Sequence, residues 1–171
     1  MTYRTKTYIA ADWSGDEDAV KQLYKWKESQ NWGLSFTDAH GLTSARDSSL
    51  NCSIKRSLKA RLDASKQFVL IVGDNTDTIT AGSCRYCSSY NSYTSRCVRG
   101  YNVDFRSYID YECDIASYDI SNIVVLYNST MIKKSLCPEP LRSQGVHIPM
   151  VYSKDGKQYW DYYAVKKALN Q

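Results

Sequence analysis

Two stretches of the sequence are apolar without alternation, and they constrain the fold more than any other feature. They are FVLIVG at residues 68–73 and NIVVLYN at residues 122–128. A half-exposed strand alternates apolar and polar side chains, whereas a strand covered on both faces is a continuous apolar run. Both stretches therefore predict strands of a parallel sheet with helices packed against each face.

Three further apolar runs alternate with helical patterns along the chain. TYIAAD at residues 7–12 predicts the first strand, GLSF at 33–36 the second, and HIPMVY at 147–152 the fifth. Pro149 cannot donate a ladder hydrogen bond, so the fifth strand is expected at an edge. We predict an α/β, flavodoxin-like sheet of five parallel strands in the order 2-1-3-4-5, with helices on both faces.

Length and composition predict one globular domain over residues 1–171. Of these residues, 43% are hydrophobic and 23% charged, which excludes a disordered chain. A Cys- and Tyr-rich insertion at about 77–103 separates the third strand from the next helix. Because the sequence contains no signal peptide and no transmembrane stretch, we expect a cytoplasmic protein with reduced or metal-bound cysteines.

The basic residues concentrate in SIKRSLKARLDASK at residues 53–66, and the formal net charge of the whole chain is +4. Lys55, Arg56 and Lys59 flank an apolar stripe there, which predicts a solvated helix face. No nucleic-acid-binding motif accompanies this patch, so we expect neither a nucleic acid nor a membrane as partner.

One carboxylate lies on the apolar face of a predicted helix. The helix is DFRSYIDYECDIASYDI at residues 104–120, and Glu112 falls within a stripe that contains Phe105, Tyr108, Ile109, Ile115 and Ala116. An ionised carboxylate there would cost several kcal/mol without a partner. The sequence leaves two interpretations, an ion pair at the helix edge or a carboxylate that opens into a cleft.

The loops after the strands are the expected ligand-binding positions in a parallel sheet. The loop after the first strand, DWSGDED, has one glycine and four carboxylates, which would repel the phosphate of a flavin or dinucleotide. The loop after the second strand contains His40, which either contacts a ligand or is solvated, and no Ser-His-Asp hydrolase motif is present.

A receiver-like phosphoacceptor site is an alternative for the same sheet. The residues in the corresponding places are Asp12, Asp74, Ser129 or Thr130, and Lys154. The acidic pair that Mg²⁺ requires is reduced there, because Asp16 lies several residues beyond Asp12.

The insertion contains Cys84, Cys87 and Cys97, a C-x2-C pair followed by a third thiol. These thiols either bind zinc, with Cys113 as a fourth ligand, or lie free in a poorly ordered loop. We expect no metal, because Cys113 belongs to a helix and should face the sheet.

Several segments together resemble a known family. TYIAADWSGDED, FTDAHGLTSARDSS, SIKRSLKARLDASKQFVLIVGDNT and YIDYECDIA with NIVVLYN are similar to the TIR-like domains of the Thoeris antiphage system, the ThsB family. The resemblance implies a flavodoxin-like TIR fold and an enzyme that consumes NAD⁺ as substrate, without a cofactor. It also implies that a nucleotide product activates a separate effector protein.

The resemblance implies specific site residues. TIR enzymes of prokaryotes have a catalytic glutamate on the helix after the third strand, often four positions after an aromatic residue, and Glu112 and Tyr108 match that pattern. Asp12, Trp13 and Ser14, together with Asp38 and His40, are the residues expected to line the nucleotide site. The insertion before the helix departs from the family pattern.

A non-enzymatic TIR adaptor or sensor that acts through protein assembly is the alternative from another functional class. The sequence leaves open a phage-derived trigger and homo-oligomers. It does not determine the product or the activity of the resting protein.

Overall fold

The computed structural model describes residues 3–38 and 50–170. Its α-helices are α1 (Glu17–Glu28), α2 (Asn51–Asp63), α3 (Tyr108–Asp119) and α4 (Tyr162–Ala168). Its strands are β1 (Lys6–Ala10), β2 (Ser65–Val72), β3 (Tyr90–Asn91), β4 (Arg96–Cys97), β5 (Asn122–Tyr127), β6 (Val146–Pro149), β7 (Val151–Lys154) and β8 (Lys157–Trp160). None of the helices described is long and apolar enough to cross a membrane.

The central sheet has four parallel strands in the described residues, in the order β1-β2-β5-β6. Phe68 of β2 lies opposite Tyr8 of β1 on one side and Ile123 of β5 on the other. The predicted α/β class and parallel pairing are confirmed, consistent with a flavodoxin-like fold. Pro149 lies in β6 at an edge of the sheet, as its missing N–H predicts.

The predicted strand count and order are not confirmed. Residues 33–36 carry no strand in the structure, and the nearest pairing is a single parallel bridge between Thr7 and Asp38. Gly33 has φ of +62°, which is not an extended conformation, and Leu34 and Phe36 are buried in the core. Side-chain burial therefore holds this segment beside β1, with little contribution from ladder hydrogen bonds.

The predicted fifth strand is two strands. β6 ends at Pro149, the Met150 N–H then donates to the Tyr127 carbonyl at 2.8 Å, and β7 turns away to pair antiparallel with β8. Met150 is fully buried between the two strands. An apolar run alone does not reveal such a change of partner, because partly buried Ile148 of β6 and buried Val151 of β7 both pack against the core.

The core consists of two apolar layers, one on each face of the sheet. The first lies under α1 and α4 and includes the predicted Ala19, Val20, Leu23 and Trp26. The second lies under α2 and α3 and includes Phe68, Leu70, Ile109 and Ala116. Burial of each large apolar side chain stabilises the fold by about 1.5–3 kcal/mol, which explains why the non-alternating strands need helices on both faces.

The insertion is folded, so the expectation of a poorly ordered loop is wrong. It contains short 3-10 helices at Thr76–Thr78 and Cys84–Tyr86 and the β3–β4 hairpin. Its two ends meet where the Cys84 N–H donates to the Asp104 carbonyl at 3.0 Å and the Asp104 N–H donates to the Cys84 sulfur at 3.3 Å. We call this pair of contacts the neck of the insertion.

The prediction of a solvated basic helix face is wrong for Lys55, which is buried. Its side chain is 5% exposed, and its Nζ donates to the carbonyls of Arg106 at 2.6 Å and Asp104 at 3.3 Å. Burial lowers the pKa of Lys55, and the nearby Asp104 carboxylate opposes that shift. The ammonium thus connects α2 to the segment that leads into α3, whereas Arg56 is exposed as predicted.

We expect Lys55→Met to lower the free energy of unfolding by about 2–4 kcal/mol, because two partly buried carbonyl groups lose their charged donor. Arg56→Met is the matched control, since it removes a cation from an exposed neighbour on the same helix. Urea unfolding of both variants measures the difference. Equal stabilities of the two variants would contradict a structural role for the Lys55 ammonium.

Candidate functional site

A cavity of about 290 Å³ opens where β1 and β2 end and α3 begins. Its lining is mostly apolar, with a few polar side chains among aliphatic and aromatic ones. The lining residues are Ala11, Asp12, Trp13, Ile54, Leu58, Arg61, Ile79, Ala81, Tyr108, Ile109 and Glu112. The cavity therefore lies at the carboxyl edge of the sheet, where parallel sheets bind ligands.

Glu112 lines this cavity and is 7% exposed. The Tyr8 hydroxyl on β1 donates a hydrogen bond to its Oε1. Burial raises the pKa of Tyr8 well above its ordinary value, and the Glu112 charge raises it further, so Tyr8 is a neutral donor. The carboxylate on the apolar stripe of α3 is thus explained by a cavity and a buried hydrogen-bond partner.

Tyr108 is the first residue of α3, just after the N-cap Ser107, whose Oγ accepts from the Asp110 N–H at 3.0 Å. Its hydroxyl donates to Asn51 Oδ1 at 3.0 Å. Gly82 allows the ring to pack there, because a Cβ at that position would lie 2.5 Å from Tyr108 Cδ1. Burial raises the pKa of Tyr108, with a smaller contribution from nearby thiols.

The loop after β1 brings Asp12 and Trp13 to the cavity. Asp12 Oδ1 accepts from the Ser14 N–H at 3.1 Å and from the Ser14 hydroxyl at 2.7 Å. Burial alone would raise the pKa of Asp12, but these bonds and one from the Gly15 N–H hold it below its usual value. Ser14 therefore fixes the turn and is not among the described lining residues, while Trp13 is 45% exposed.

Asp38 lies away from the described lining. It accepts a hydrogen bond from the Tyr24 hydroxyl on α1, and burial followed by this contact raises the pKa of Tyr24. His40 lies outside the described residues, as does the whole segment 39–49. The predicted contribution of Asp38 and His40 to the nucleotide site stays a prediction.

The cysteines do not form a metal centre in the part of the chain that the structure describes, where no group of three or more His, Cys, Asp or Glu side chains could hold a metal ion. Cys113 lies in the middle of α3 and is buried in the core against the sheet. Burial raises the pKa of Cys113 and that of Cys137, the latter to about 11.

The acidic residues of the receiver-like alternative are held in other contacts. Asp74 pairs with Lys133 at 2.7 Å, and Asp16 accepts from Asn128 Nδ2 at 2.9 Å. Burial raises the pKa of Asp16, and the neighbouring Asp12 adds to the rise. Lys154 lies exposed at the end of β7.

Two polar residues of the site were missed by sequence reasoning, namely Tyr8, which binds Glu112, and Arg61, which lines the cavity. Tyr8 was interpreted only as part of an apolar strand, although a buried tyrosine hydroxyl needs a partner. Arg61 shares the cavity and is 9% exposed. Its spacing from Ile54 and Leu58, seven and three positions, puts it on their face of α2, which was the available signal.

We expect Tyr8→Phe to lower the free energy of unfolding by about 1–3 kcal/mol at neutral pH, because the buried Glu112 carboxylate loses a donor. Folded Tyr8 has a raised pKa, so its contribution is complete below about pH 10 and declines as the unfolded tyrosine ionises above it. The difference between wild type and variant should shrink by about 0.8 kcal/mol between about pH 7.5 and about pH 10.5.

Urea unfolding at both pH values measures this difference. Tyr93→Phe is the control, since Tyr93 is 99% exposed. A Tyr8→Phe variant as stable as Tyr93→Phe would show that the hydrogen bond to Glu112 contributes nothing.

Comparison with known families adds an independent finding. A model of the family described as Thoeris protein ThsB, TIR-like domain, matches residues 8–81, from within β1 to the start of the insertion. The matched segment includes Asp12 and Trp13 and ends before α3, so Glu112 and Tyr108 lie outside it. A search of curated proteins found no match. Residues 8–81 are thus similar to the TIR-like domain of Thoeris ThsB proteins, and the parallel α/β fold is consistent with that similarity.

Proposed function

We propose that this chain is an NAD⁺ glycohydrolase or ADP-ribosyl cyclase whose nucleotide product activates a separate antiphage effector. The observation that supports the proposal most is the position of Glu112, a buried carboxylate that lines an open and mostly apolar cavity. The similarity of residues 8–81 to the Thoeris ThsB TIR-like domain supports the proposal, because TIR-like domains are often NAD⁺-processing and a Thoeris protein is expected to work with a defence effector. The reaction requires no cofactor, because NAD⁺ is the substrate.

Glu112 has the chemistry that the reaction needs. Cleavage of the bond between nicotinamide and ribose leaves an oxocarbenium-like ribose, and a nearby carboxylate stabilises the developing positive charge. The aliphatic walls of the cavity strengthen that interaction, because they lower the local dielectric constant. Nicotinamide leaves as a neutral molecule and needs no general acid, so one carboxylate is sufficient.

Tyr8 is a positioning residue in this scheme. Its neutral hydroxyl donates to Oε1 of Glu112, which fixes the orientation of the carboxylate. Since the donor has a raised pKa, the bond persists across the neutral pH range. Such fixed geometry lowers the reorganisation that the transition state would otherwise require.

The size of the cavity supports a proposal for the part of NAD⁺ that binds there. A volume of about 290 Å³ is at the lower limit for ligand sites and suits the nicotinamide and its ribose. Trp13 and Tyr108 supply aromatic surfaces for that end. The remaining adenosine diphosphate portion then extends past Trp13 to the surface.

The acceptor determines the product. Attack by water on the ribosyl cation gives ADP-ribose, whereas attack by a hydroxyl or a ring nitrogen of the same molecule gives a cyclic product. Both outcomes use Glu112 in the same way.

A non-enzymatic adaptor or sensor is the second candidate, and one observation favours it. The insertion exposes aromatic side chains, with Tyr86 at 70% and Tyr93 at 99%. Protein interfaces are enriched in such side chains. Complete absence of NAD⁺ turnover in both resting and triggered protein would support this candidate.

We expect Glu112→Gln to keep the fold and to lower nicotinamide release by roughly a hundred- to a thousandfold, because ~3–4 kcal/mol of charge stabilisation is lost. Mass spectrometry of products after incubation with NAD⁺ measures the effect, in resting protein and in protein exposed to an extract of phage-infected cells. Glu139→Gln is the control, since it makes the same change on an exposed residue outside the described lining. Parental nicotinamide release by a folded Glu112→Gln variant would refute the proposed role.

Gly82→Ala tests the contribution of Tyr108. The new Cβ would collide with the Tyr108 ring and displace it. Because the ring would then no longer position the substrate, we expect nicotinamide release to fall roughly ten- to a hundredfold. Gly100→Ala is the matched control, because Gly100 also has a positive φ, +77°, but no atom within 4 Å of a Cβ. Equal turnover by the two variants would show that the position of Tyr108 does not matter for the reaction.

A further inference from the structure

Two thiols lie at the neck of the insertion, and the proposed reaction does not use them. Cys84 begins the 3-10 helix Cys84–Tyr86, and Cys87 caps its end. Cys84 is buried, whereas Cys87 is partly exposed. Both remain free thiols in the structure, as do the other described cysteines.

The local backbone brings these two side chains together. The Cys87 N–H donates to the Cys84 carbonyl at 3.1 Å, which closes a turn between residues i and i+3. Such a turn holds the two Cα atoms within about 7 Å, and a disulfide spans about 4.4–6.8 Å. Side chains at i and i+3 of a 3-10 turn also eclipse each other, which puts Cys84 and Cys87 on the same side of this turn.

The Cys84 sulfur also takes part in the hydrogen bonds that close the neck of the insertion. It accepts the Asp104 N–H at 3.3 Å, and the Cys84 N–H donates to the Asp104 carbonyl at 3.0 Å. The preceding residue, Ser83, has its carbonyl bound by Asn51 Nδ2 at 3.1 Å, and Asn51 in turn accepts from the Tyr108 hydroxyl. The thiol pair is thus connected by hydrogen bonds to the start of α3.

We propose that Cys84 and Cys87 form a reversible disulfide on exposure to peroxide, and that the disulfide loosens the neck of the insertion. The Cys87 thiolate attacks one oxygen of hydrogen peroxide, the O–O bond breaks, and the departing hydroxide takes a proton to become water. Cys84 then attacks the Cys87 sulfenic sulfur, the S–S bond forms, the S–O bond breaks, and a second water leaves. The two thiols lose two electrons and two protons in total, and the peroxide is reduced to two molecules of water.

The order of the steps follows from exposure. Cys87 meets solvent first because it is partly exposed, and the buried Cys84 resolves the sulfenic acid. Once the Cys84 sulfur turns toward Cys87, it no longer accepts the Asp104 N–H. That amide, which lies two residues before Arg106 and close to the start of α3, is then released from the neck.

Tryptic peptide mapping tests the pairing directly, because trypsin places each insertion cysteine on a separate peptide. Cys84 lies in residues 67–85, Cys87 in 86–96 and Cys97 in 97–99, while Cys52 lies in 47–55. After treatment of the full chain with hydrogen peroxide and alkylation, we expect a loss of two of its six thiols and a linked peptide that joins 67–85 to 86–96. Dithiothreitol should restore both thiols.

Two serine variants and one structural readout complete the experiment. Cys84→Ser should abolish the linked peptide and leave Cys87 as an overoxidised acid, whereas Cys97→Ser, the matched control in the same insertion, should retain the link. Amide exchange at Asp104 by NMR should accelerate in the oxidised wild type. A dominant link to Cys97 or Cys52, no link at all, or a Cys84–Cys87 link with unchanged Asp104 exchange would each overturn the proposal.

Discussion

The hydrogen bond from the Tyr8 hydroxyl to Glu112 is the interaction on which the candidate site depends. A carboxylate cannot remain buried on the apolar face of α3 without a donor, since an uncompensated buried charge costs roughly 3–5 kcal/mol. Tyr8 provides that donor from β1, and the stacked ring of Phe68 on β2 holds the tyrosine in place. The parallel pairing of β1 and β2 is therefore a requirement for the site as well as for the core.

Helix α2 holds the insertion and the start of α3 in place beside the Tyr8–Glu112 pair. Asn51 binds both the Ser83 carbonyl and the Tyr108 hydroxyl, and one turn later Lys55 binds the carbonyls of Asp104 and Arg106. Both ends of the insertion and the start of α3 are thus tied to one helix. This arrangement explains how the cavity can form although an insertion separates β2 from α3. It also explains why residues of the insertion line part of the cavity.

The sequence predicted those features that depend on local periodicity. Non-alternating runs identified β2 and β5, and the position of Glu112 on the apolar stripe left a cleft beside α3 as one of two interpretations. The failures concern features that depend on tertiary partners. Residues 33–36 have the composition of a strand, but buried side chains rather than ladder hydrogen bonds hold them in place. Lys55 lies in a pattern typical of a solvated helix face, but its ammonium donates to two carbonyl oxygens. Tyr8 is inconspicuous in an apolar run because its partner lies 104 positions away.

The central claim is that the cavity beside Glu112 holds the nicotinamide and its ribose. A crystal structure of the Glu112→Gln protein bound to NAD⁺ tests it most directly, because the variant removes the charge while the cavity and the residue volume are retained. The account predicts the nicotinamide ribose between Trp13 and Tyr108, with its C1′ atom within about 3–4 Å of the residue 112 side chain. A dinucleotide bound elsewhere on the protein, with the cavity beside residue 112 empty, would contradict the account.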